Sequence, residues 1–431
     1  MKKTILIIIS LIFFIPKVFA ITLTEALTQA YKNNPELNAE RENIKISEED
    51  LNISKGEYLP TLTLSGSKSK EDTNKLTNQS GGDATITDVD PQSTSITIEQ
   101  TLIDFGRGAE YEKNKIGINL AKAKLLKKEQ DILYKAIEAY TGLILANEKF
   151  EINKANVNLL ERQVETDTIR LERGQVTISD VAQSESSLAE AQAKLIQAQN
   201  DVLTSKLNYE NIIGPLSNSN LLEKNSTINF VIPQNLNSAI ELSKKNNPDL
   251  NIALLEYEQS EKDTIIAKSD LSPTAKLSFE RSYSDDLSST YDEREKDILK
   301  ATVSWPFYSG GKNRAKYKKN INLQTRKRLL LDNTTKSNET IVASAWSNFQ
   351  SSKSLLNSVE LQVKAAEIAN EGITAEYESG VGRTTLEVIQ SNSFLLNAQI
   401  SLANSERNYL LSQFNLLKSI GLLNSSYLKI K

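Results

Sequence analysis

Two residue types are missing altogether: the 431-residue chain has no cysteine and no histidine. Without cysteine there is no disulfide framework, no thiol nucleophile and no acyl-cysteine lipid anchor. Without histidine, a Ser-His-Asp triad, an HExxH zinc site and most transition-metal sites are excluded together, because each needs imidazole as base or ligand. No enzyme activity, cofactor or metal is expected. Net charge is small too: 51 basic residues against 55 acidic ones leave −4, which gives no electrostatic footprint for nucleic acid. Aromatics make up only 6%, sparse for a chain of this length that must bury one compact core. Extended helices suit this composition better than a globule.

Long apolar runs are scarce as well. Lys2 and Lys3 precede an apolar run over residues 5–14, and Val18-Phe19-Ala20 ends it with the small residues a signal peptidase reads. The run is too short to span a bilayer, which takes about 20 apolar residues, and no later segment is apolar enough. Residues 1–20 are therefore expected to be a signal peptide, with a mature chain from near Ile21.

What the sequence does contain is a duplication. Asn33-Asn34-Pro35-Glu36-Leu37 recurs as Asn246-Asn247-Pro248-Asp249-Leu250, and Tyr58-Leu59-Pro60-Thr61 as Leu271-Ser272-Pro273-Thr274. The run from Leu102 to Arg107 is echoed by the run from Phe307 to Lys312. Near the end of each half, Val181, Ser184, Leu188, Ala191 and Leu195 step alternately by three and four residues, as do Val388, Ser391, Leu395, Ala398 and Leu402. A seam of this kind, rich in Ala and Ser, lets helices approach closely in coiled-coil packing. One copy alone would equally fit an amphipathic bundle helix.

Each half reads as the same series. A helix is expected over about residues 24–54, opened by Thr24 and Glu25, and its copy over about 236–268. Strands with period-two alternation follow, at about 59–66 and 93–104 in the first half and at about 272–283 and 297–308 in the second. Polar stretches at about 66–92 and 284–295 read as long hairpin loops. Helical sequence without internal proline then runs to about Arg173 and about Ser379, roughly 100 Å at 1.5 Å per residue. Gly174 and Gly380 interrupt it before the seam helices return to Gly214 and Gly421. The chain thus divides into a first repeat at 21–213, a linker at 214–235, a second repeat at 236–421 and a tail at 422–431.

The strands alternate apolar and polar faces, and Trp305, Phe307 and Tyr308 cluster at one end, as aromatics do at bilayer interfaces. Surface hairpins on a soluble bundle would give a similar pattern. If the strands are in lipid, four cannot close a barrel, and open edges would leave unpaired N–H and C=O groups at several kcal/mol each. Other copies must then complete it. Two copies give eight strands and a filled interior, whereas three give twelve and a lumen. By strand parity, Glu99, Lys276, Glu280 and Lys300 face that lumen.

With these motifs in order, twice, the chain resembles the TolC-like outer membrane factors of type I secretion and multidrug efflux. The likeness covers nearly the whole mature chain, including RLERGQVTISDV around Gly174 and EYESGVGRTTLEV around Gly380. It implies a mainly helical fold with a membrane β-barrel portion: a homotrimer in outer-membrane lipid, with a 12-stranded barrel continued by an α-helical barrel through the periplasm. A periplasmic adaptor and an inner-membrane ABC or proton-driven transporter would dock at the entrance.

The resemblance also implies roles at the two turns. Ser179 and Asp180 match the family's polar latch on the first hairpin, and Tyr377 and Arg383 match its partners on the second. An Arg guanidinium and a Tyr hydroxyl can both donate to Asp180, each link contributing roughly 0.5–3 kcal/mol and hence breakable by a docking partner. Glu387 matches one of two acidic positions that narrow the pore, while Gln390, which is neutral, occupies the second, implying weaker cation block. Gly174, Gln175, Val176, Gly380, Val381 and Gly382 are candidates for adaptor contact, although glycine as a plain turn former explains them equally. Competing readings are a trimeric adhesin-like coiled coil, which would carry its strands together at the C-terminus, and a periplasmic adaptor, which would need a lipoyl-like β-domain. The cargo leaves no mark in the sequence.

Overall fold

The computed structural model describes residues 21–430 apart from 73, 75–80, 83–87, 217–221, 225–230, 289–290 and 381. The expected signal peptide, parts of the loop at 66–92 and of the linker, and Val381 lie outside the described residues. Two halves follow the same order: α1 (Leu23–Asn33), α2 (Pro35–Gly56), β1 (Thr61–Lys68), β2 (Gln92–Ile103), α3 (Arg107–Glu172) and α4 (Ile178–Ile212), then α5 (Leu236–Asn246), α6 (Pro248–Ser269), β3 (Thr274–Ser288), β4 (Tyr291–Ser304), α7 (Lys312–Glu378) and α8 (Thr385–Ser419).

The expected first helix of each half is two helices. Asn34 and Asn247 have extended backbones (ψ 122° and 121°), and proline opens the next helix. Proline lacks the N–H that would continue the ladder but fits the first helical position. The Asn34 side chain then accepts from the backbone N–H of Glu36 and Leu37, capping α2. The start also differs from expectation: Thr22, not Thr24, caps α1 in a reciprocal box with Glu25.

The chain divides into two compact units. One comprises the described residues of 39–125 and 248–337, the other those of 21–38, 126–247 and 338–430. The first holds the four strands in one antiparallel sheet of order β1-β2-β3-β4, so β2–β3 pairing joins the two repeats and β1 and β4 are its edges. Leu62 pairs with Ile98, Ile98 with Phe279 and Phe279 with Leu299, which makes one apolar row across all four strands. That row lies on the more exposed face: Leu62 is 71% and Leu299 73% exposed, while Thr97 and Glu99 are half-buried. On the polar face Lys276 meets Glu99 at 2.8 Å. Such a sheet is amphipathic the wrong way round for water. The second hairpin has no long loop, because β3 and β4 extend through most of the expected polar stretch, with a register shift past Asp285 and Asp286 at φ 50°.

The second unit carries the main apolar core, where Leu23, Leu27, Ile137, Tyr140, Phe414 and Leu417 are buried together. The expected tail belongs to it: Leu423, Leu428 and Ile430 are buried there. Two smaller clusters repeat along the long hairpins, Val157, Leu160 and Ala191 in one and Val363, Ala366 and Ala398 in the other. The sequence seam supplies the α4 and α8 members of both.

Candidate functional site at the hairpin tips

The turns α3–α4 and α7–α8 and their flanking helices place the described candidate site residues within the second unit. Each turn begins with a glycine in the left-handed region, Gly174 at φ 68° and Gly380 at φ 77°, where an L side chain is strained. The amide of Gln175 bonds back to the Arg170 carbonyl at 2.9 Å, closing the end of α3. Gln175, Gly380 and Gly382 are exposed and Val176 is half-buried. A Cβ on Gly174, Gly380 or Gly382 would meet nothing within 4 Å, so the space above these turns is open to a partner.

The helices that leave the turns are capped identically. Thr177 caps α4 and Thr384 caps α8, each in a box with the third helical residue, Asp180 and Glu387. Asp180 accepts from the Thr177 amide and hydroxyl, both at 2.8 Å, and these bonds hold its carboxyl below the usual range. Glu387 accepts from the Thr384 amide at 2.8 Å and from Arg383 at 3.0 Å, with the same direction of shift. Asp180 and Glu387 are thus structural counterparts.

Within the chain, neither Tyr377 nor Arg383 donates to Asp180. The Asp180 carboxylate is committed to its own helix start, and Arg383 bridges Glu376 at 2.6 Å and Glu387 at 3.0 Å. Ser179 and Gln390 are exposed, and Ser179 has no side-chain partner among the described residues. Tyr377 is instead buried, 4% exposed, and donates to Oδ1 of Asp167 at 2.5 Å.

Asp167, on α3, is fully buried. Beside Tyr377 it accepts from the Ser184 hydroxyl of α4 and from Gln163 at 3.0 Å. The Tyr377 hydroxyl also contacts Thr385 Oγ1 at 3.0 Å. Arg170 stacks over the Tyr377 ring, 4.1 Å from its centre, and donates to the Tyr377 carbonyl at 3.2 Å. Burial, reinforced by the Asp167 bond, pushes the Tyr377 phenol up. One carboxylate therefore fastens both helices of one hairpin to the other.

Sequence reasoning missed Asp167, Arg170, Gln163 and Thr385. A signal was present, since Val157, Leu160, Val164, Asp167 and Leu171 continue the three-and-four step of a buried seam. At the matching positions of the second copy stand Ile373 and Tyr377. A charge replacing an apolar seam residue in one repeat, beside a phenol in the other, marks the contact.

Comparison with known proteins agrees with this duplicated plan. The model of a family described as "Outer membrane efflux protein" matches residues 26–215 and again 239–422. The chain is similar to the outer membrane efflux protein BepC of Brucella suis, 26% identical over 95% of the chain and 87% of that protein. It is 22% identical to the alkaline protease secretion protein AprF of Pseudomonas aeruginosa, over 96% of the chain and 87% of the relative. The CmeC outer membrane channel of Campylobacter jejuni shares the fold, with TM-score 0.81 and 15% identity over 93% of this chain and 85% of that one.

Proposed function

Because this chain belongs to the outer membrane efflux protein family, we propose that three copies form an exit duct through the outer membrane for type I protein secretion, multidrug efflux or both. The observation that carries this reading is the inverted sheet, with its apolar row exposed and Lys276 and Glu99 on the polar face. In lipid the apolar row is solvated by acyl chains, and the edges β1 and β4 are satisfied only by strands of further copies. Twelve strands enclose a water-filled lumen lined by the polar face. The relatives' names, one for efflux and one for protease secretion, leave the cargo class open.

A periplasmic adaptor and an inner-membrane ABC or proton-driven transporter dock at the hairpin tips in this reading. Gly174, Gly380 and Gly382 offer them open backbone, and Gln175, Val176 and Val381 complete the candidate contact residues. The gate comprises Tyr377, held by Asp167 within the subunit, and Ser179, Asp180 and Arg383 facing the neighbouring copies. Glu387 forms a single acidic ring and Gln390 a neutral one. Purified protein in a planar bilayer is expected to give discrete conductance steps, and cell fractionation to place it with the outer membrane. Absence of steps together with a soluble periplasmic location would sink the reading.

A further inference from the structure

The duplication makes one junction inside the chain a template for a junction between chains. In the unit that holds the sheet, α3 is flanked on both sides. On one side Arg107 and Asn114 donate to the carbonyls of Glu57 and Asp50 of the α2 segment. On the other, α6 packs through Lys113–Asp263 at 3.0 Å, a Gln259 bond to the Lys113 carbonyl, and Ile116, Leu120 and Ala123 against Ile252 and Leu255.

Its counterpart α7 is flanked once. The bonds that residues 313–327 share with another segment go to α6 and the residue that follows it: Asn313 and Lys316 donate to Asp270, Gln324 accepts from Thr264 and Lys327 donates to Glu256. Among the described residues no bond occupies the side of α7 that in α3 receives α6, and by the repeat its missing neighbour is α2. In this chain α2 is already used on its α3 side, but among the described residues nothing covers the face equivalent to the α6 contact. Ala39, Glu42 and Asp50 on it are exposed, and Ile46 is 57% exposed.

In the multi-copy reading this face of α2 meets α7 of the next copy, and we propose that opposite charges, Lys318 with Asp50 and Arg328 with Glu42, set the register of that junction. Helices α2 and α6 have equal length from their opening prolines, and α3 and α7 begin at Arg107 and Lys312. Counting from those starts, Lys318 and Asp50 occupy the places of Lys113 and Asp263, while Arg328 and Glu42 occupy those of Ala123 and Leu255. The ion pair of the template is kept, and its apolar contact becomes a second opposite-charge pair. Residues 312–328 hold eight basic residues and no acid, whereas α2 holds six acids against three bases, so the two surfaces attract. The side chains of Lys318, Arg328 and Asp50 have no charged partner within their own chain among the described residues. Ile321, 38% exposed, meets Ile46 between the two pairs.

This inference rests on the multi-copy reading above, and the test separates the two. Light scattering of detergent-solubilised protein first counts the copies; a monomer overturns the multi-copy reading and the interface with it. The absence of native cysteine then gives a clean background for the double variant Asp50→Cys/Lys318→Cys. Mild oxidation is expected to yield a ladder ending at a covalent trimer on denaturing gels, with no ladder from either single variant. A trimer by light scattering that forms no ladder overturns the interface alone. Charge exchange is the second arm: Lys318→Asp and Asp50→Lys each lower the temperature at which the trimer dissociates, and the double exchange restores most of the loss. If the basic strip of α7 binds anionic lipid instead, Lys318→Asp reduces phosphatidylglycerol retention and the exchange at residue 50 restores nothing, which overturns the proposal.

Discussion

The Tyr377 hydroxyl donates to Asp167 at 2.5 Å, although the two residues are 210 positions apart and belong to different repeats. The acceptor also serves Ser184 and Gln163, so the bond is one of several converging on a buried carboxylate. Replacing Tyr377 by Phe removes one charge-assisted bond and leaves Asp167 its other donors, a loss of about 1.5–3 kcal/mol. Asp167→Ala strands the Tyr, Ser and Gln donors together and is expected to destabilise the tips more. Limited proteolysis at the turns reads the order; equal susceptibility in the two variants would mean that Asp167 is no hub.

Arg383 bridges Glu376 and Glu387 in solvent-screened surroundings, so Arg383→Ala is expected to change stability little. Its effect on the gate is a separate quantity. Asp180→Ala and Arg383→Ala together are expected to raise resting conductance. Because the pair is not made within the chain, a double effect clearly smaller than the sum of the single effects locates it between copies. Unchanged conductance in the double variant would reduce both residues to surface charges.

Much of this architecture could be read from residues. The glycine punctuation, the seam and the proline-free runs place the C-terminal ends of α3, α4, α7 and α8 to within two residues. The Asn34-Pro35 break was legible as a cap followed by a first-turn proline, but amphipathic spacing continues across it and masks the junction. The boxes Thr177-x-x-Asp180 and Thr384-x-x-Glu387 were legible in the same local terms. Local chemistry fixes what Asp180 binds within its own chain, whereas the family resemblance speaks of its neighbours. Asp167 was not legible alone, because its burial depends on a phenol brought to it by tertiary packing of the other hairpin. The full length of β3 and β4 was hidden by polar residues, since strands that continue beyond a bilayer no longer need an apolar face.

Glu387 and Gln390 lie three residues apart on α8, Glu387 half-buried and Gln390 exposed. In the proposed trimer, three copies of Glu387 around an axis would concentrate negative potential and favour cations. Glu387→Gln is expected to lower the cation-to-anion permeability ratio severalfold in bilayer recordings. Gln390→Glu adds a second ring and is expected to strengthen block by divalent cations. If neither substitution alters selectivity or block, these side chains do not border the conduction path.

Two glycines with similar backbone angles should respond differently to alanine. Gly421 has φ 82°, and a Cβ there would lie 2.3 Å from the Asn246 carbonyl oxygen, a backbone atom that cannot yield cheaply. Gly174 has φ 68° and nothing within 4 Å of the same position. Gly174→Ala therefore incurs only the left-handed strain of about 1–2 kcal/mol. Gly421→Ala adds a collision at the start of the α5–α6 break and is expected to lower the melting temperature considerably more. Similar melting temperatures for the two variants would show that the Asn246 backbone moves aside readily.

Acid should loosen the tips within a definite window. Thr177 bonds hold the Asp180 carboxyl below its usual value; the Thr384 amide, then Arg383 and the Thr384 hydroxyl, do the same for Glu387. A depressed folded value means stabilisation that is complete above the unfolded values of about 3.9 and 4.3 and is lost as pH falls below them. Hydrogen exchange at the starts of α4 and α8, corrected for intrinsic rates, is therefore expected to stay constant from pH 7 to 5 and to rise toward pH 3. Asp180→Asn keeps an acceptor for Thr177 but cannot titrate, so its α4 start should lose much of this pH dependence while α8 keeps its own. Protection lost already between pH 7 and 5 would assign the transition to some group other than these two caps.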